Sequence, residues 1–207
     1  MVSFCDIPLS RIDEHVSYYG GFGIGLTREW AIKSGLNPIF YISRSSPIGA
    51  AMLSTLRVIT DTNVKEKKQA ASDKKEHDSE NFHRAIHLLA HMKPLSGSVV
   101  VSGTPTEKDF YLENEWRFVP RLKGHISALL EESFADEKQL KEFNELLKAE
   151  ACLRFAPQDI RYIFVPTDAD IPSVVSFMND NLDHHSVAEM RILTTRITSL
   201  ENMRKDV

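Results

Sequence analysis

The sequence has little cysteine, no long apolar run and no strong excess of charge of either sign. Two cysteines, Cys5 and Cys152, cannot build a disulfide framework or a four-thiolate zinc site. Apolar runs such as Val99–Val101 and Ile163–Val165 are far shorter than the roughly 20 residues that span a bilayer. The N-terminus lacks the basic and apolar regions of a signal peptide. We therefore expect a cytoplasmic protein without a membrane segment.

The composition is typical of a globular protein. The 207 residues are 42% hydrophobic and 26% charged, which excludes the disordered and collagen-like classes. The 25 basic and 29 acidic residues give a net charge of −4. This balance argues against a nucleic-acid coat, although a local basic patch stays possible. At this length we expect one domain covering residues 1–207.

Helical and strand patterns follow one another without a regular βαβ rhythm, which favours an α+β fold with a mixed or antiparallel sheet and flanking helices. Ser10, Thr27, Asp136 and Ser199 are candidate helix N-caps, and Gly20 is a candidate helix end. The expected strands are 22–26, 39–42, 97–103, 109–120, 160–165 and 190–198. The expected helices are 11–19, 28–34, one from Pro47 onward, 82–92, 127–150 and 172–182.

One segment, at about 61–80, is polar and densely charged with mixed signs and no aromatic residues. We interpret it as a solvated loop or the frayed end of a helix. A phosphate-binding arm is the alternative.

The richest candidate for chemistry is the segment 109–120. If it is one extended strand, Tyr111, Glu113, Glu115 and Arg117 project from the same face. Repulsion between the two acids would raise the pKa of one, and Arg117 would keep the other ionised, as a general acid/base pair requires. The structural alternative is an exposed strand face with charges paired along it.

Other candidates have simpler interpretations. His83, His87 and His91 lie four residues apart and would share a helix face, which we interpret as exposed, because no cysteine or glutamate motif accompanies them. The glycines of 20–25 lack the order of a dinucleotide loop and favour a helix end followed by a strand. Cys5 lies in an apolar context and is expected to be a buried small residue rather than a nucleophile. We expect no metal and no cofactor.

Several motifs spread over nearly the whole chain resemble the AbiGi family, proteins described as antitoxins of abortive phage-infection systems. The matching pieces are Phe4-Cys5-Asp6-Ile7-Pro8-Leu9, His15, Tyr19-Gly20, Phe22-Gly23-Ile24-Gly25-Leu26, Trp30, Asn37-Pro38, Lys93-Pro94 with Gly97, Glu113-Asn114-Glu115-Trp116-Arg117, Asp159-Ile160-Arg161-Tyr162-Ile163 and Leu193-Thr194-Thr195-Arg196-Ile197.

The resemblance implies a two-gene defence module for phage resistance, a toxin–antitoxin system whose partner is a nucleotidyltransferase-like toxin. Antitoxins of such modules usually counter the toxin without a stable complex, so direct binding is left open. Family members usually carry a further segment before the Phe-Cys-Asp-Ile-Pro block, often with a histidine near its start. We expect this chain to lack that segment.

Two alternatives to a simple antitoxin role follow from the residues. One is a diverged ADP-ribosyltransferase-like enzyme acting on a nucleotide or nucleic acid, in which Glu115 would stabilise the sugar cation, Arg117 would hold a phosphate through bidentate hydrogen bonds, and Tyr111 would stack on a base. The other is a non-catalytic protein-binding scaffold. If the protein is an enzyme, the catalytic candidates are Glu113, Glu115 and Arg117, and the substrate-binding candidates are Tyr111, Trp116, Asp6 and His15.

Overall fold

The computed structural model describes residues 1–66, 83–101, 103–120, 122 and 136–205. The strands of these residues are β1 (Val2–Cys5), β2 (Gly23–Leu26), β3 (Asn37–Pro38), β4 (Phe40–Ile42), β5 (Met92–Pro94), β6 (Ser96–Val101), β7 (Thr104–Asp109), β8 (Glu115–Phe118), β9 (Ile160–Val165) and β10 (Ile197–Ser199). The helices are α1 (Ile12–Tyr19), α2 (Arg28–Lys33), α3 (Pro47–Glu66), α4 (83–90), α5 (Glu137–Glu150), α6 (Ile171–Asn181), α7 (Val187–Thr194) and α8 (Leu200–Met203).

The α+β class is confirmed, with small antiparallel and mixed sheets flanked by helices. The chain divides into two compact units, one formed by Met1–Asp6 with Leu36–Cys152, the other by Ile7–Gly35 with Leu153–Val207. That residues 1–207 act as a single domain stays a prediction.

The first unit is built from short sheets. Strand β8 lies between β1 and β3 and pairs antiparallel with both. Strands β4 and β5 are parallel, and β6 and β7 form an antiparallel hairpin. Helix α3 approaches β4 through Gly49, where an added Cβ would lie 2.6 Å from Cγ2 of Ile42. A glycine is therefore required where this helix crosses the strand.

The second unit is a three-stranded sheet in the order β10-β9-β2. Strands β9 and β10 are parallel, because α6 and α7 form the crossover between them. Phe164 of β9 packs with Ile12 and Leu200 in one apolar cluster. A second cluster joins Ile160 to Met178 and Leu193.

Strand β2 combines glycines with the aromatic side chains of its neighbour. Gly23 pairs with Phe164 and Gly25 with Tyr162. A Cβ atom on Gly23 would overlap the ring of the buried Phe164, with Cε1 only 2.5 Å away. The glycines therefore serve close packing against aromatic rings, which agrees with the interpretation of 20–25 as a helix end followed by a strand. Gly20 ends α1 with φ of 93°.

The predicted caps are mostly confirmed. The side chains of Thr27, Asp136 and Ser199 each accept backbone N–H bonds at the first turns of α2, α5 and α8. Ser10 does not cap α1, which begins after a 3-10 turn at Leu9–Arg11.

Three sequence predictions are wrong in this part of the fold. The segment 109–120 is not one strand, because Phe110–Glu113 forms a 3-10 turn before β8 begins. The segment 190–198 is mainly helix α7, started by a capping box between Ser186 and Glu189, with only a short β10 after it. The helix expected at 82–92 ends at residue 90, and β5 follows.

The structure describes only the first part of the charged segment at about 61–80. Helix α3 extends to Glu66, which agrees with a helix end, and residues 67–80 lie outside the described part of the chain. The same holds for 127–135 of the helix expected at 127–150. Among the described helices, none is both long enough and apolar enough to cross a membrane.

We predict that Gly23→Ala destabilises the protein by about 1–3 kcal/mol, because the new methyl group overlaps the buried ring of Phe164. Urea unfolding of the purified chain measures this effect. Ile24→Val, at the exposed neighbouring position, serves as the control and should change stability by less than about 0.5 kcal/mol. Equal stability of the glycine variant and the wild type would contradict the packing described here.

Candidate functional site

The candidate site lies in the first unit and is organised by strand β8. Because side chains alternate along a strand, Glu115 and Arg117 project from the same face, and Trp116 projects from the other. The neighbouring strand β1 places Cys5 opposite Glu115 and Ser3 opposite Arg117. The predicted alignment of Glu115 with Arg117 is therefore confirmed.

Glu115 is only 3% exposed, and its carboxylate is fully occupied. Oε1 accepts bonds from Ser3 Oγ and Arg117 Nε, each at 2.6 Å. Oε2 accepts from Lys93 Nζ at 2.8 Å and from the second guanidinium arm of Arg117 at 3.3 Å. A carboxylate offers about four acceptor positions, and all four are used here.

Glu113 reaches the same cluster by a different backbone route. Asp109 caps the 3-10 turn by accepting the Tyr111 N–H at 3.1 Å. Asn114 then adopts the left-handed conformation, with φ of 44°, which asparagine tolerates better than most residues. This turn leaves Glu113 buried, with its two oxygens 2.6 Å from the amines of Lys93 and Lys108.

Two cations connect the site to other elements. Lys93, on β5, bridges Glu113 and Glu115, and its amine lies 4.5 Å from the centre of the Phe110 ring. Arg117 also donates to the backbone carbonyl of Ala90 at 2.5 Å. The hydroxyl of Tyr41 accepts the Glu115 N–H at 2.8 Å. We call the set Ser3, Lys93, Lys108, Glu113, Glu115 and Arg117 the ion-pair network.

The network sets the protonation states of its members. Burial alone would raise the pKa of Glu115, but hydrogen bonds from Arg117, Lys93 and Ser3 outweigh it and lower that pKa to about 2. Burial would lower the pKa of Lys93, yet its bonds to the two glutamates leave it raised. Burial, and then the two carboxylates, raise the pKa of the Cys5 thiol to about 12. A thiol so held stays protonated, which agrees with the interpretation of Cys5 as non-nucleophilic.

The other candidate residues are placed less centrally. Tyr111 is 54% exposed and packs edge-to-face on Tyr41, with ring centres 5.4 Å apart. It does not share a strand face with Glu115, because it belongs to the 3-10 turn. Trp116 is half-buried and is paired with Phe4 and Pro38.

Asp6 and His15 contribute differently from what the sequence indicates. Asp6 belongs to the first unit, and its backbone exchanges hydrogen bonds with Asn114. His15 belongs to the second unit, where its ring lies 4.5 Å from that of Tyr19. The functional roles assigned to both residues stay predictions.

Sequence reasoning missed four contributors: Ser3, Tyr41, Lys93 and Lys108. Only Lys93 had a signal, since Lys93-Pro94 is one of the family-like motifs. The partners of the two glutamates come from β1, β5 and β7, and a single sequence does not reveal which distant lysine meets which acid.

His83 and His87 of α4 and the adjacent His91 do not form the exposed face that we expected. His91 is buried, and His83 and His87 are half-buried. The Nδ1 of His91 lies 2.8 Å from the carbonyl oxygen of His87. Within the described residues, no group of three or more histidine, cysteine or acidic side chains is placed to hold a metal ion.

The geometry of the ion-pair network suits a structural role better than acid/base catalysis. A general base needs a free lone pair and a pKa near the working pH, whereas Glu115 has its acceptor positions filled and a pKa of about 2. Ions removed from water are stable only when fully paired. The network therefore fixes β1, β5, β7 and β8 to one another.

Comparison with known proteins places the chain in a family. The model for “Putative abortive phage resistance protein AbiGi, antitoxin” matches residues 1–166, and the chain belongs to the AbiGi family. A protein of Lactococcus lactis subsp. cremoris named “Abortive phage resistance protein AbiGi” is 25% identical over 227 residues, covering 100% of this chain and 88% of that protein. No solved structure matches. Family membership supports involvement in abortive phage resistance.

We predict that Glu115→Gln lowers the free energy of unfolding by about 3 kcal/mol, because it leaves the half-buried Lys93 and Arg117 with one carboxylate fewer. Denaturant unfolding measures the change. Glu107→Gln, on the exposed side of β7, is the matched control and should cost less than about 0.5 kcal/mol. Equal effects of the two substitutions would refute the role of the network in stability.

We predict that the contribution of Glu115 to the free energy of unfolding decreases in acid. Glu115 binds a proton with a pKa of about 2 when folded and about 4.5 when unfolded, so the unfolded state binds more protons between these values. Its contribution, about 3 kcal/mol, is present above pH 4.5 and is lost as pH falls towards 2. The difference in unfolding free energy between wild type and Glu115→Gln should shrink over this range. A difference independent of pH would contradict the lowered pKa.

Proposed function

We propose that this protein is the antitoxin of an abortive-infection module and counters a nucleotidyltransferase-like toxin encoded beside it. The observation that carries the proposal is the family match over residues 1–166, whose description includes an antitoxin role. The match over the whole chain to a phage resistance protein supports it. We expect the protein to act in the cytoplasm, where such a toxin would arrest growth.

The antagonism, in this proposal, uses binding rather than catalysis. The saturated carboxylate of Glu115 supports this view, because a group with four occupied acceptor positions has none left for a substrate proton. In this proposal the protein is an antitoxin that acts as a non-catalytic binding scaffold.

The candidate contact surface adjoins the network. Leu95, Tyr111 and Leu112 are exposed, and the Tyr111 N–H donates to the Leu95 carbonyl at 3.2 Å. We call these three residues the Tyr111 surface. Tyrosine with neighbouring apolar side chains is typical of the centre of a protein interface.

The ADP-ribosyltransferase-like alternative stays a prediction with less support. It needs Glu115 to face a sugar cation, whereas the carboxylate faces Ser3, Lys93 and Arg117. Incubation of the purified chain with a nicotinamide dinucleotide tests it directly. Turnover that disappears in Glu115→Gln while the fold persists would favour the enzyme over the binding protein.

We predict that Tyr111→Ala combined with Leu112→Ser abolishes growth rescue when the chain is co-expressed with the toxin gene. The thermal unfolding midpoint should stay near that of wild type, because both side chains are exposed. The matched control is Phe177→Ala, which changes a similarly exposed aromatic residue on α6 in the second unit and should rescue normally.

The outcomes separate the possible roles. Glu115→Gln should reduce rescue only as far as it reduces the amount of folded protein, which is measured in the same cells. Rescue lost by Glu115→Gln at full folded level would favour chemistry at the network. No rescue by the wild-type chain would remove the antitoxin proposal.

A further inference from the structure

The hairpin of β6 and β7 has two unlike edges. Strand β7 carries Pro105, which has no N–H to donate, and the exposed charges of Glu107 and Asp109. Prolines and charges are the usual protection of an edge against further pairing. Strand β6, Ser-Gly-Ser-Val-Val-Val, has neither. In the part of the chain that the structure describes, β6 pairs only with β7.

The open strand also exposes apolar surface. Ser96, Ser98 and Val100 lie on its outer face, and Val100 is 71% exposed. Further strands stabilise a two-stranded sheet. An additional strand at the β6 edge would therefore improve both hydrogen bonding and burial.

The register shows which backbone groups are available. Val101 faces Thr104 next to the turn, and Val100 faces Pro105. Antiparallel partners alternate between pairs that exchange hydrogen bonds and pairs that do not. Because Pro105 has no N–H, Val100 and Pro105 form a pair that does not exchange hydrogen bonds. By the same alternation, the pairs of Ser98 with Glu107 and of Ser96 with Asp109 do not exchange hydrogen bonds either. The N–H and C=O groups of these three residues accordingly point away from β7.

We propose that β6 is a self-association edge, at which two copies of this chain pair antiparallel around a two-fold axis at Ser98. In this arrangement Ser98 faces Ser98 of the second copy, and Ser96 faces Val100 of the second copy. Every outward N–H and C=O of the three residues then has a partner, and a continuous four-stranded sheet results.

Charge explains why a second copy fits this edge. A two-fold axis brings each residue near it opposite its own equivalent, so a charged strand would repel itself. Strand β6 has no charged residue, whereas self-pairing of β7 around Glu107 would place two glutamates directly opposite each other, and Pro105 would have no N–H to donate. Of the two edges, only β6 is compatible with self-pairing.

Sedimentation of the purified full chain over a wide concentration range tests the proposal. Wild type should dimerise reversibly, and Ser98→Thr, which stays neutral, should do the same. Ser98→Lys places like charges directly opposite at the axis and should weaken the dimer at least about tenfold. Its new amine faces Glu107 within the hairpin, so folding should not suffer. Ser98→Glu should also weaken the dimer, and a mixture of the lysine and glutamate variants should restore it.

A wild-type chain that stays monomeric at every concentration would overturn the proposal, as would a Ser98→Lys dimer of unchanged affinity. If the wild-type chain stays monomeric and another protein pairs with β6, that protein is the partner of this edge and the self-association proposal is overturned. Self-association and the antitoxin role are tested separately, because growth rescue is measured with variants of the Tyr111 surface and dimerisation with variants of β6.

Discussion

The first unit depends on complete pairing of charges that have left water. Two carboxylates and three cations meet around Glu113 and Glu115. Each would cost several kcal/mol to bury alone, and the mutual attraction compensates only when every acceptor is used. This requirement fixes the positions of the short strands β1, β5, β7 and β8.

The backbone around residue 114 shows how such pairing overrides a strand pattern. Alternation from Asp109 to Pro120 is a strong sequence signal for one strand. The chain instead turns at Phe110–Glu113, and Asn114 then adopts the left-handed conformation. The turn carries Glu113 to Lys108 and Lys93, so the two acids meet the same lysine from different elements. In a continuous strand they would point the same way and repel each other.

What the sequence predicts well is local. The caps at Thr27, Asp136 and Ser199 and the helix end at Gly20 follow from side chains a few residues away, and β9 follows from its apolar run. The alignment of Glu115 with Arg117 is equally local. The contacts of Ser3 and Lys93 with Glu115 join residues 112 and 22 positions apart, and no periodicity encodes them. The strand expected at 190–198 is wrong because a capping box at Ser186 starts helix α7, although the alternating pattern favours a strand.

A saturated network also constrains where function can be. Any ligand at Glu115 would have to displace Arg117, Lys93 or Ser3 and leave a buried ion incompletely paired, which costs more than most small ligands return. Evolution of binding is easier on exposed side chains whose replacement leaves the network intact. Tyr111 meets that condition, because it shares the turn that positions Glu113 while its own ring is half in solvent. The ion-pair network thus holds an aromatic side chain at the surface, as the proposed binding role requires.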